Sequence, residues 1–139
     1  MPGYSCTPLP KKLGLKDNFR VVLVRIPADV QKELRPALTR CQVIKDSALK
    51  DSIGALDFAM VFTKSQAKLK LEFPRLAQHL LPAGTLWVSW PKKTSGVPSD
   101  LTENAVRDIG LAAGLVDVKV CAVTDIWSGL KFVRRLKDR

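Results

Sequence analysis

One histidine, one tyrosine and three cysteines are spread over 139 residues, and 13 acidic residues face 23 lysines and arginines. Each shortage removes a class of chemistry. Cys6, Cys41 and Cys121 are too widely spaced for a zinc pattern, and His79 alone cannot complete one, so no metal site is expected. No Gly-x-Ser-x-Gly elbow and no histidine cluster is present, which argues against a hydrolase triad. His79, beside Leu80 and Leu81, reads as a packing or surface residue. Cys41 and Cys121 sit in apolar, strand-like contexts and read as small buried hydrophobes. Cys6 falls in an expected loop, where nothing nearby would make it a thiolate. No apolar run approaches the ~20 residues that span a bilayer. The start Met-Pro-Gly-Tyr-Ser-Cys lacks the charged and apolar regions of a secretory signal. A cytoplasmic location without a membrane partner is expected.

Apolar residues make up 46% of the chain and charged residues 26%, an ordinary balance for one domain with its own core. The net charge of +10 is uneven. Between 58 and 99, Lys64, Lys68, Lys70, Arg75, Lys92 and Lys93 stand against Glu72 alone. Between 131 and 139, five cations stand against Asp138. Such a surface draws polyanions by counterion release, and nucleic acid is one candidate partner. The plainer alternative is charge for solubility.

Residues 1–18 hold Pro2, Pro8 and Pro10, two glycines and Lys11-Lys12 without periodicity, and read as an extended N-terminal arm on a domain of 19–139. Phe19 to Ile26 reads as a central strand ended by Pro27. Asp29 can cap a helix to about Leu38, with Val30, Leu34 and Leu38 as its stripe and Pro36 as a bend or an early end. A short strand is expected at 41–44 and a longer one at 57–62. Ser65 can cap a helix burying Leu69, Phe73, Leu76 and Leu80, with Pro74 starting a second turn. Pro82-Ala83-Gly84 turns the chain into a strand at 85–90. Asp100 and Glu103 have capping-box spacing for a helix presenting Leu101, Ala105, Ile109 and Ala112 and ending at Gly114. Strands at 116–124 and 130–136 flank Trp127-Ser128-Gly129 as an antiparallel hairpin.

This alternation predicts an α/β, Rossmann-like layer structure with a mostly parallel sheet. The closing hairpin resembles that of methyltransferase-like Rossmann domains. Several motifs also resemble a bacterial family catalogued as a domain of unknown function. They are Tyr4-Ser5-x-Thr7-Pro8-Leu9 with Lys11-Lys12-Leu13-Gly14, then Gly84-x-Leu86-Trp87-Val88 with Trp90-Pro91-Lys92-Lys93, and Asp100-Leu101-Thr102. Gly114-Leu115-Val116-Asp117, Lys119-Val120-Cys121-Ala122-Val123 and Trp127-Ser128-Gly129-Leu130-Lys131-Phe132-Val133 complete the set. Where that family usually has glycine, this chain has Cys6. The resemblance implies kinship and fold, with no reaction to carry over.

An S-adenosylmethionine site on such a fold needs a glycine-rich turn after the first strand and an acid after the second. Arg25-Ile26-Pro27-Ala28-Asp29 stands in the first place, and Asp46 is the one residue that could meet ribose hydroxyls. No cofactor is therefore expected. Ligands of open α/β sheets bind beyond the carboxyl ends of the strands. Arg25, Lys64, Lys92, Lys93 and Ser95 fall there and form the candidate anion site, with the helix start near Asp100 adding its positive end. Trp127 is a candidate partner contact. The expected function is a non-catalytic accessory or regulatory module that binds a phosphate-bearing ligand or polyanion. Non-specific nucleic-acid binding and an atypical methyltransferase are the alternatives.

Overall fold

β-branched residues crowd Arg20–Val24, and this run forms the first strand, β1, with Val21, Val22 and Val24 buried. The other strands are β2 (Gln42–Val43), β3 (Leu56–Phe62), β4 (Leu80–Pro91), β5 (Leu115–Ala122) and β6 (Trp127–Arg134). They form one six-stranded sheet in the order β2-β1-β3-β4-β6-β5. The first four run parallel, and β6 pairs antiparallel with both β4 and β5. This is the expected mostly parallel α/β sheet with its closing antiparallel pair. The computed structural model describes residues 7–51 and 55–139, so Tyr4, Ser5, Cys6 and Gly54 lie outside the described residues.

Helices α1 (Leu9–Leu13) and α2 (Ala28–Leu38) cover one face. Leu9, Leu13, Leu15, Val30 and Leu34 pack there on Val21, Phe58, Met60, Phe62 and Trp87. Helices α3 (Gln66–Ala77) and α4 (Glu103–Ala112) cover the other, burying Leu69, Phe73, Leu76, Val106 and Ile109 on Val22, Ala59, Val88, Trp90 and Phe132. Trp87 and Trp90, three residues apart on one strand, enter opposite cores, as period-two alternation requires.

Several local expectations give way to tertiary packing. Within the stretch read as an extended arm, residues 9–13 are helical, and Trp87 Nε1 donates to the Leu13 carbonyl at 2.9 Å. Neither Pro36 nor Pro74 ends its helix, because Ala37 on one and Leu76 and Ala77 on the other are buried beyond the proline. Ala37, rather than Leu38, completes the buried stripe of α2. β4 starts at Leu80, and the register jumps from Leu56↔Leu80 to Phe58↔Thr85. Gly84 permits that irregularity, since a Cβ there would lie 2.7 Å from the Leu56 carbonyl oxygen. Thr102, not Asp100, caps α4, its Oγ1 accepting from Ala105 N. The stripe of α4 is Val106, Ile109 and Gly110. Trp127 opens β6 opposite Pro91 instead of sitting in the hairpin turn.

Candidate functional site

β1 leads through α2 to β2 on one side, and β3 leads through α3 to β4 on the other. The strand order therefore reverses between β1 and β3, the place where open α/β sheets leave a crevice. A cleft of about 310 Å³ opens there, lined by Arg25, Phe62, Thr63, Lys64, Ser65, Lys68 and Trp127. None of these lining residues is acidic. Trp127 forms one wall, edge-on to Phe62 with ring centroids 5.2 Å apart.

Arg25 leaves β1 in the left-handed region at φ 55°. Its Nε donates to the Phe62 carbonyl at 2.9 Å, and its two terminal nitrogens fork onto the Glu72 carboxylate. That hydrogen-bonded carboxylate pushes the guanidinium further above its usual range, against burial. Arg25 is thus a clamp joining the ends of β1 and β3 to α3, and most of its charge is already answered. Lys64 and Lys68 are exposed and, among the described residues, belong to no ion pair. Lys68 escaped sequence reasoning; its signal was its place three residues past the cap Ser65, in the first turn of α3. Ser65 Oγ accepts from Lys68 N at 3.2 Å, and Asp100 Oδ1 accepts from Gln66 N at 2.8 Å. The chain's own carboxylate therefore occupies the amide end of α3.

Of the five residues expected at the anion site, Arg25 and Lys64 line this cleft, and Trp127, expected separately as a partner contact, lines it with them. Lys92, Lys93 and Ser95 stay beyond the end of β4, outside its lining. Lys92 N donates to the Ile126 carbonyl at 2.7 Å. Ser95 Oγ donates to the Lys92 carbonyl at 2.6 Å and accepts from Val97 N at 3.1 Å, so it closes its own turn.

A larger cleft, about 720 Å³, lies between α1, the start of α2 and the turn between β5 and β6. Its cations Lys12 and Lys32 are matched by Asp29, Glu33 and Asp125, so its charge favours no anion. Asp29 also stands in the first turn of α2, where an anionic ligand would otherwise meet free amides. Cys41 and Cys121 are half-buried rather than fully buried, and burial pushes both thiols up, away from thiolate character. Among the described residues, no group of three His, Cys, Asp or Glu is placed to hold a metal, and no helix is long and apolar enough to cross a membrane.

No family model and no curated protein matches the chain. Solved structures do match in fold. An S-adenosylmethionine-dependent methyltransferase from Aquifex aeolicus is 19% identical, with 88% of this chain and 85% of that one covered at a TM-score of 0.62. Magnesium protoporphyrin IX methyltransferase from Synechocystis is 12% identical, covering 91% and 74% at 0.61. A fibrillarin pre-rRNA processing protein from Methanococcus jannaschii is 10% identical, covering 94% and 70% at 0.55. The fold is that of Rossmann-like methyltransferases. Arg25-Ile26-Pro27 follows β1 where a glycine turn was sought in the sequence, and Arg25 ties that end to the end of β3. Asp46, the acid singled out in the sequence for the ribose, is paired with Arg75 at 2.7 and 3.2 Å.

Proposed function

We propose that this chain is a degenerate methyltransferase-fold module that binds an anionic ligand with a flat apolar portion in the cleft between β1 and β3. It serves as an accessory or regulatory protein, and does not take S-adenosylmethionine in the manner of its structural neighbours. Kinship with the bacterial domain family rests on the motifs named above. The observation that carries the reading is the cleft lining: Lys64 and Lys68, neither in an ion pair among the described residues, stand beside the Trp127 ring, with Arg25 already answered by Glu72. A phosphate or carboxylate would relieve the repulsion between the ammonium groups, and the indole face offers a surface for an aromatic base. A volume of about 310 Å³ lies at the small end of ligand pockets, which favours a compact ligand such as a nucleoside monophosphate. Lys92 and Lys93 add to the basic edge from outside.

Trp87 and Trp90 are buried, so Trp127 is the indole a ligand would reach. Titration with adenosine monophosphate should quench its emission. Replacing Lys64 and Lys68 with alanine should weaken binding about tenfold, on the order of 1.4 kcal/mol, and flatten its salt dependence. Unchanged affinity in that double variant would overturn the proposal. Tight, salt-steep binding of single-stranded RNA that ignores the two substitutions would favour the nucleic-acid alternative.

A further inference from the structure

A second basic cluster lies away from the strand-end cleft, on the face of β5 and β6 that looks toward α1. Lys131 pairs across to Trp87 on β4, and Trp87 sends its indole to the α1 side. Lys119 lies opposite Lys131 on β5 and so shares that face. The Lys131 ammonium sits over the left-handed cap of α1, where a Cβ on Gly14 would be 3.6 Å from its nitrogen. Lys119 Nζ donates to the Lys12 carbonyl at 3.0 Å, and Lys12 Nζ donates to the Ala122 carbonyl at 3.0 Å. Lys16 follows α1 and is exposed. Main-chain carbonyls thus hold two of the ammonium groups in place. Among the described residues, none of the four lysines belongs to an ion pair.

Like charges directly opposite on paired strands are destabilising, and a sheet selected only for stability would set an acid against Lys131. The repulsion is felt: burial first, then Lys119 and Lys16, lowers the Lys131 amine below the usual lysine range. We propose that Lys16, Lys119 and Lys131 form a second anion site, built for a compact polyphosphate. Lys119 and Lys131 meet at the end of one short helix with Lys16 just beyond it, so the matching charge is dense and small. An extended nucleic-acid strand needs a longer track with stacking aromatics, and Trp87, which pairs across to Lys131, is buried. This inference does not depend on the strand-end cleft.

The test is calorimetric titration of the whole protein with inorganic tripolyphosphate at low salt. Saturable binding is expected and is weakened at least tenfold by Lys119→Gln with Lys131→Gln, compared in proteins that both carry alanine at Lys64 and Lys68 so that the strand-end cleft is silent. Lys16→Gln, at an exposed position, should weaken binding severalfold and keeps the test informative if the double variant folds poorly. The proposal is overturned if wild type fails to saturate at millimolar tripolyphosphate, or if these glutamine variants bind as wild type does. Loss of binding in the Lys64 and Lys68 variant also overturns it, as does single-stranded DNA binding that tripolyphosphate cannot displace.

Discussion

Arg25→Gly separates what the clamp does for stability from what the cleft does for binding. Glycine relieves the left-handed conformation at φ 55°, a gain of about 1 kcal/mol. It also gives the unfolded chain more freedom, a loss of roughly 0.5–1 kcal/mol, so the backbone effects nearly cancel. What remains is the lost contacts. The Nε bond to the Phe62 carbonyl is worth about 1 kcal/mol. The fork onto Glu72 is discounted to about 0.5–1 kcal/mol, because the Arg25 side chain is 40% exposed. The variant should therefore be about 1.5–2 kcal/mol less stable by equilibrium urea unfolding, with an unchanged denaturant slope. Combined with Glu72→Gln, the double-mutant cycle should return a coupling of about 0.5–1 kcal/mol. Because the Arg25 charge is already answered, adenosine monophosphate affinity should fall less than in the Lys64 and Lys68 variant. S-adenosylmethionine should remain unbound, since Pro27 and Asp29 still occupy the loop and the start of α2. A destabilisation above about 4 kcal/mol, or zero coupling to Glu72, would refute this account of Arg25.

Gly110→Ala would place a Cβ 2.1 Å from Phe132 Cε2, and Phe132 is buried edge-on to Phe73. Overpacking of about 2–3 kcal/mol should outweigh the ~1 kcal/mol gain in helix propensity, and Phe132→Leu should restore part of the loss in thermal unfolding. Asp100→Ala removes the carboxylate at the start of α3 and should cost about 1 kcal/mol, while inorganic phosphate binds the variant better than wild type; weaker phosphate binding would contradict the reading of Asp100 as a built-in anion. The Lys131 amine is lowered in the folded state by burial, Lys119 and Lys16, so the unfolded chain holds the extra proton between the folded and ordinary values. Stability should rise with pH through that alkaline window, and Lys131→Met should lose this increment; equal gains in both proteins would contradict it.

The parallel core was legible because its signals are local and redundant: β-branched runs for β1 and β3, and apolar stripes along α2 and α3. Caps were less so, because Asp100 and Thr102 lie two residues apart and either suits a helix start. The approach of α3 decides between them, drawing Asp100 to Gln66 N and leaving Thr102 for α4. Ser128-Gly129 reads as a turn, yet Gly129 is a strand residue whose absent side chain makes room for Trp87, 3.2 Å from where a Cβ would lie. Topology was enough to place Arg25 and Lys64 at one strand edge; that Trp127 joins them follows from its pairing with Pro91, which the turn reading of Trp127-Ser128-Gly129 missed. That Arg25 would meet Glu72, 47 residues away, has no sequence signal, and neither has the turn that spends Ser95 on its own backbone.

On the proposed reading, the methyltransferase-like fold is kept while the strand-end crevice serves as a small cationic cleft. Calorimetry with adenosine monophosphate and S-adenosylmethionine on the same wild-type protein tests this most directly. Saturable, salt-sensitive binding of the monophosphate is expected, with no heat from S-adenosylmethionine up to millimolar concentration. Micromolar S-adenosylmethionine binding, which requires about −8 kcal/mol of well-placed contacts, would contradict it, as would no binding of the monophosphate.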